Sequence, residues 1–138
     1  MRIMAIDYGD ARTGVAISDP TGLLAGFTTV VHTRNPETAA QKLAELVRTH
    51  GVDQLVLGLP KNMDGSEGPR AELCRAFADR LEAVSGLKPV LWDERRTTVE
   101  AHHILHASGK PMKRHKQTVD AVAASLILEG YLRFRSPF

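Results

Sequence analysis

Carboxylates stand at three points of punctuation in this chain. Asp7 closes the apolar run from Ile3 to Ile6, Asp93 and Glu94 close the run from Val90 to Trp92, and Asp120 opens a helical stretch. Acids gathered at one edge repel each other unless a cation lies between them, and hard oxygen donors suit Mg²⁺ or Mn²⁺. Two such ions about 3.5–4 Å apart activate a water and stabilise the leaving oxygen in phosphodiester cleavage. Each acid alone has a simpler reading. Asp120 in a first helical turn would gain from the helix dipole, and Asp7 and Glu94 would pair with Arg12 and Arg95 as solvated strand-end ions. The joint placement favours chemistry.

Two further stretches bear on binding. Between Ala101 and Val119 there is no Asp or Glu, while Lys110, Lys113, Arg114 and Lys116 crowd together. Such a run could grip a phosphate backbone with an affinity that falls with salt, and it lies directly before Asp120. "GLPKNMDGSEGP" (58–69) carries Gly58, Gly65 and Gly68, which permit close backbone approach, with Lys61, Asn62 and Ser66 as polar groups. It has neither the GxxxxGK[ST] nor the GxGxxG arrangement, so nucleotide binding of those kinds is not supported. His102 and His106 have zinc-like i, i+4 spacing but no third ligand in the local pattern. Cys74 and Trp92 read as packing residues.

The elements that position these groups follow from periodicity. Residues 2 to 7 read as a strand covered on both faces, ending on Asp7. Turns at Gly9–Gly14 and Asp19–Gly22 separate it from "GVAIS" and "LLAGFTTVV", giving an antiparallel meander. Asn35 as N-cap and Pro36 at the first helical position open a helix that Gly51 stops. "DQLVLGLP" is a buried strand, and Leu73, Phe77, Leu81 and Val84 mark a second helix. "KPVLWDE" is a last strand and "TTVEAHHILHA" a third helix. The basic stretch is expected as a loop, with a final helix opening near Thr118 and burying Val119, Val122, Ala123, Leu126 and Ile127. Hairpin strands followed by strands alternating with helices predict an α/β fold, a mixed sheet flanked by helices.

At 138 residues the chain suits a single domain spanning 1–138, and 43% apolar with 25% charged residues excludes a disordered or fibrous protein. The net charge of +2 is too small to argue for a polyanionic partner by itself. The single cysteine excludes an internal disulfide and suits a reducing cytosol. No apolar run approaches bilayer-spanning length and no signal-peptide pattern opens the chain, so a cytoplasmic protein without a membrane partner is expected.

Taken together, "DYGDARTGVAISD" (7–19), "GLPKNMDGSEGP" (58–69), "DERRTT" (93–98) and "VDAVAASLILEGYL" (119–132) resemble the YqgF, or RuvX, family of pre-16S rRNA nucleases, which has a Holliday-junction-resolvase-like relationship. The blocks follow the family's order across essentially the whole chain. The resemblance implies a ribonuclease H-like fold with a five-stranded mixed sheet, antiparallel across its first three strands. It implies Asp7, Glu94 and Asp120 as a catalytic, metal-binding trio for Mg²⁺ or Mn²⁺, with Asp93 the rival for the second place. Arg96 stands where family members often carry an apolar residue.

The leading expectation is a metal-dependent endonuclease on structured nucleic acid, acting at the 5′ end of pre-16S rRNA. Arg12, Lys61, Asn62, Arg95, Lys113, Arg114 and Lys116 are its expected nucleic-acid contacts. The alternatives are a junction-resolving DNA nuclease, which needs two active sites and so at least a weak homodimer, and a ribosome-assembly factor that binds without cutting. A kinase of the actin type also begins with Asp-x-Gly on a hairpin, but needs two such domains to enclose ATP.

Overall fold

The apolar runs become strands, and the central ones are covered on both sides. In a computed structural model, residues 1–22, 25–94 and 112–135 are described, residue 25 and residues 112–120 by their backbone only. Strands β1 (Ile3–Asp7), β2 (Arg12–Ser18), β3 (Ala25–His32), β4 (Gln54–Leu59) and β5 (Val90–Asp93) form one sheet in the order β3-β2-β1-β4-β5. β1, β2 and β3 are antiparallel neighbours, while β4 runs parallel to β1 and β5 parallel to β4. Helices α1 (Pro36–His50) and α2 (Pro69–Ser85) make the two parallel crossovers, and α3 (Met112–Arg135) follows β5 in the chain.

Strand alternation divides the core in two. Met4 and Ile6 join Leu43, Phe77 and Leu81 beneath α1 and α2. Ile3 and Ala5 point the other way and join Ala124, Ile127, Leu128 and Tyr131 beneath α3. A strand serving two cores must be apolar at every position, which is why β1 reads as an unbroken run. α1 starts as its sequence predicts: the Asn35 side chain accepts a hydrogen bond from Thr38 N at 3.1 Å, with Pro36 in the first turn. Gly51, at φ 65°, closes it and donates to the Val47 carbonyl.

Three expectations change. Leu73 faces solvent, 52% exposed, and the buried stripe of α2 is Ala71, Cys74, Phe77, Ala78 and Leu81. Cys74 and Ala78 complete the i, i+3, i+4 spacing with Phe77 and Leu81, so the helix turns its small residues inward and packs closely on the sheet. The final helix opens at Met112, not near Thr118. Lys, Arg and Gln are good helix formers whatever their charge, so the stretch from Met112 to Lys116 extends the helix instead of looping. The inward face of α3 is also shifted, to Ala124, Leu126, Ile127, Leu128, Tyr131 and Leu132, with Val122 and Ala123 only half-buried. The helix expected through "TTVEAHHILHA", the 102/106 histidine pair, Arg96 and Lys110 lie outside the described residues.

The register of α2 gives a direct test by urea unfolding. Leu81→Ala should cost about 2–5 kcal/mol, as buried leucine truncations do, and Leu73→Ala less than about 0.5 kcal/mol. Equal losses would reject this orientation.

Candidate active site

β1 ends on Asp7 at the C-terminal edge of the parallel strands, where ligands gather in alternating α/β sheets. Alternation places Asp7 on the same face as Ile3 and Ala5, toward α3. Its antiparallel partner is Gly14, which brings no side chain to that spot. On the other flank lies β4, whose Gly58 pairs with Trp92 of β5.

Glu94, one residue past the end of β5, reaches back over β4. A Cβ at Gly58 would run into Glu94 Oε1 and meet Glu94 Cγ at 2.9 Å and Ile127 Cδ1 at 2.8 Å. The room expected at Gly58 for a substrate backbone is therefore taken by the Glu94 side chain. Adjacent strands lie about 4.8 Å apart, so the missing side chain lets Glu94 span one strand and hydrogen-bond Asp7 on the next. Of the rivals Asp93 and Glu94, it is Glu94 that meets Asp7; Asp93 is the last residue of β5, opposite Leu59.

The pair shares a proton. Burial pushes the Glu94 carboxyl up to about 8, and the hydrogen bond and charge of Asp7 push in the same direction. Asp7 is also raised by burial, against the lowering effects of its bond from Glu94 and of the Arg70 charge. Glu94 is thus the donor and Asp7 the acceptor, two acids too close and too dry to ionise together.

Arg70 was not singled out by the sequence. It sits at the second position of α2, donates from Nη2 to the Tyr8 carbonyl at 2.5 Å and from Nη1 to Asp10 Oδ1 at 2.6 Å, and lies 5.4 Å from the centre of the Tyr8 ring. Tyr8 in turn stacks on Phe77 at 3.9 Å. The turn after Asp7 is so tight that a Cβ at Gly9 would collide with the Arg12 carbonyl. The one linear signal for Arg70 was a cation at a helix N-terminus, a placement the dipole disfavours unless an anion answers it.

The orientation of α3 completes the edge. Tyr131 Oη donates to Gln54 Oε1 at 3.1 Å at the start of β4, while Ile127 covers Gly58 near its end. α3 therefore runs antiparallel to β4, its N-terminal half toward Asp7 and Glu94. Position 120 lies two turns before Ile127, about 10 Å along the axis, and one turn before the fully buried Ala124. With the helix starting at Met112, Asp120 stands in its third turn and no acid occupies the first. The dipole explanation for Asp120 is thereby removed. Its side chain lies outside those described.

The expected binding residues are dispersed. Arg12 opens β2 beside the end of β1. Lys61 faces Glu67 at 3.9 Å. Asn62 shapes its own loop, with Nδ2 donating to Ser66 Oγ at 2.9 Å and its backbone N–H to the Ser66 carbonyl at 2.8 Å. Lys113, Arg114 and Lys116 belong to the first turns of α3 by backbone alone, and Arg95 lies outside the described residues. Cys74 is buried, and burial pushes its thiol up to about 11, so it is a packing residue as expected.

Among the described side chains, no group of three or more potential ligands gathers. Two half-buried carboxyls held together by one proton are nevertheless a hard-oxygen pair, the donor chemistry that Mg²⁺ or Mn²⁺ accepts in place of a proton.

Residues 1–134 match the RuvX family, described as Holliday junction resolvase. The chain belongs to the RuvX family. A relative from Moorella thermoacetica that carries the name pre-16S rRNA nuclease is 48% identical over 132 residues, 96% of this chain and 94% of its own. One of the same name from Carboxydothermus hydrogenoformans is 40% identical over 136 residues, 99% of each chain. The fold is similar to that of Thermus thermophilus RuvC in complex with a Holliday junction substrate, at a TM-score of 0.64 and 12% identity over 97% of this chain and 96% of that one. It is also similar to the fowlpox virus resolvase in complex with Holliday junction DNA, at 0.60 and 14% identity over 97% and 98%. This RuvX protein thus has the ribonuclease H-like fold. No helix among the described residues is long and apolar enough to cross a membrane.

The shared proton sets a pH dependence. Glu94 is raised above its ordinary value of 4.5 to about 8, so the folded protein holds a proton that the unfolded chain releases. Its contribution to stability is complete below about pH 4.5 and is lost as pH rises through 8. In EDTA, the melting temperature of the wild type should fall from pH 5 to pH 9 more steeply than that of Glu94→Gln; parallel curves would reject the shared proton. Gly58→Ala should cost about 1–3 kcal/mol through overpacking and flatten the same curve by displacing Glu94.

Proposed function

We propose that this RuvX protein is a metal-dependent endonuclease that cleaves structured nucleic acid, with the 5′ region of precursor 16S rRNA as its substrate. The observation that carries the reading is the Asp7–Glu94 carboxyl pair, brought together across Gly58 at the C-terminal edge of the sheet. Family membership and the names of the relatives support a phosphodiester-cleaving hydrolase, and those names supply the ribosomal substrate.

Asp7 and Glu94 would hold Mg²⁺ or Mn²⁺, with Asp120 from α3 as the third carboxylate. When bound, the metal supplies an activated water and stabilises the leaving oxygen. The chain's own residues do the rest. β1 is buried on both faces and pinned on both sides, so Asp7 presents its oxygens from a rigid support. Glu94, raised to about 8, would hold its proton at neutral pH until a cation displaces it, so metal loading would be favoured as pH rises. Lys113, Arg114 and Lys116 stand where the dipole of α3 disfavours cations, and a phosphate backbone is the partner that compensates them. Arg12, Lys61, Asn62 and Arg95 complete the proposed contact surface, and a reducing cytoplasm is its proposed setting.

Junction resolution is the second reading, favoured by the family description and needing two sites in a homodimer. The deciding assay presents a precursor 16S rRNA fragment and a four-way DNA junction in Mn²⁺, Mg²⁺ and EDTA. Asp7→Asn should lower metal-dependent cleavage at least about a hundredfold, on the scale of losing an essential charged group at a reaction centre, while leaving the melting temperature near that of the wild type. Cleavage of the RNA alone selects rRNA processing, and cleavage of the junction alone selects resolution. Binding without any cleavage by the wild type would reject both in favour of an assembly factor.

A further inference from the structure

α2 carries three arginines, and two of them are committed elsewhere. Arg75 holds Glu67 with two hydrogen bonds at 2.7 and 2.8 Å, and Arg80 meets Glu37 at 2.6 Å. Arg70 instead turns toward the sheet edge and bonds the carbonyl of the residue that follows Asp7. We propose that Arg70 contacts the phosphate backbone of the substrate beside the carboxylate pair. This rests on the nuclease reading above and adds to it a residue that acts on the substrate directly.

Four observations support it. A guanidinium has five N–H donors, and the two described hydrogen bonds engage two of them. The Arg70 side chain is 35% exposed, so a ligand can approach it from solvent. Its ionic partner Asp10 is 79% exposed; a pair so solvated contributes little, and a phosphate can replace Asp10 at small cost. The Tyr8 ring, stacked on Phe77, supports the guanidinium from below, so the cation is oriented before substrate arrives. A nuclease also needs such a group here. Asp7 and Glu94 meet at this edge and the Asp93 charge acts on Glu94, so a phosphodiester approaching them meets repulsion that a fixed, always-charged Arg offsets. The placement of Arg70 against the dipole of α2 makes the same point, because a cation put there for stability alone would be misplaced.

The test is the salt dependence of binding, which a merely structural residue does not alter. Wild type, Arg70→Ala, Arg70→Gln and Asp10→Asn would be titrated by fluorescence anisotropy against a labelled RNA hairpin with a single-stranded 5′ extension. EDTA prevents cleavage, KCl is varied, and each variant's melting temperature is recorded. Loss of one phosphate contact lowers the magnitude of the log–log salt slope by about 0.7–0.9. Arg70→Ala and Arg70→Gln should both show that decrease, together with affinity roughly ten- to a hundredfold weaker at 0.1 M KCl, the scale of a hydrogen bond to a charged group. Asp10→Asn breaks the tether but keeps the cation, so its slope should equal that of the wild type. An unchanged slope in a folded Arg70 variant, or a slope in Asp10→Asn that falls as far as in Arg70→Gln, would overturn the assignment while the nuclease reading stands. Absence of salt-dependent binding by the wild type would overturn both. The glutamine variant keeps the aliphatic stem, so the comparison survives if the alanine variant unfolds.

Discussion

The contact between Asp7 and Glu94 is the constraint around which the sheet edge is organised. Two carboxyls in hydrogen-bond contact at a half-buried site cannot both be charged without a cation, and one proton now does that work. Everything nearby serves the contact. Gly58 has no side chain because Glu94 needs its space, Ile127 closes the same space from α3, and Gly14 leaves the opposite flank of Asp7 open. In the proposed function a hard cation would be the alternative to the shared proton, so protonation and metal loading would compete.

Rigidity at this edge comes from the two cores. β1 is wedged between the α1/α2 layer and the α3 layer, and its neighbours on both sides are hydrogen-bonded strands. The turn that follows Asp7 is held as firmly, by Arg70 on the Tyr8 carbonyl and by the stacking of Tyr8 on Phe77. α2 therefore has two tasks that a single helix can combine only because of its register. Cys74, Phe77, Ala78 and Leu81 pack inward, while the first turn delivers a guanidinium to the turn that follows Asp7.

α3 links the cores to the proposed substrate surface. Its C-terminal half is a packing element, with Tyr131 and Phe134 edge-on to Trp92 and with Gly130 set against the same indole. Its N-terminal half carries Lys113, Arg114, Lys116 and Asp120 past the end of β4. A cation cluster at a helix start is a placement that the helix dipole does not favour, and the proposed phosphate contact would compensate it.

Much of this was legible in the linear sequence because it depends on short-range rules. Apolar runs ending on acids marked β1 and β5, Asn35, Pro36 and Gly51 marked α1 to the residue, and the meander followed by crossovers implied the mixed sheet. The acids Asp7 and Glu94 were legible as residue types at strand ends, whereas Asp120, read as opening a helix, stands in the third turn of α3. What the sequence could not decide were facts that depend on rotation and distance. Whether Leu73 or Cys74 points inward turns on about 100° of helix rotation, which packing settles. The basic stretch reads as loop by charge and as helix by propensity, and the structure follows propensity. The choice of Glu94 over Asp93 as the partner of Asp7, and the role of Gly58 in permitting it, required two strands whose paired residues are 34 apart in sequence to lie side by side. Arg70 is invisible for the same reason: its partners are 60 and 62 residues away. Sequence by itself determined where β1, β5 and α1 run and the residue types that end them, because those are local energies; the tertiary structure alone decided which ends meet, because burial and charge act through space.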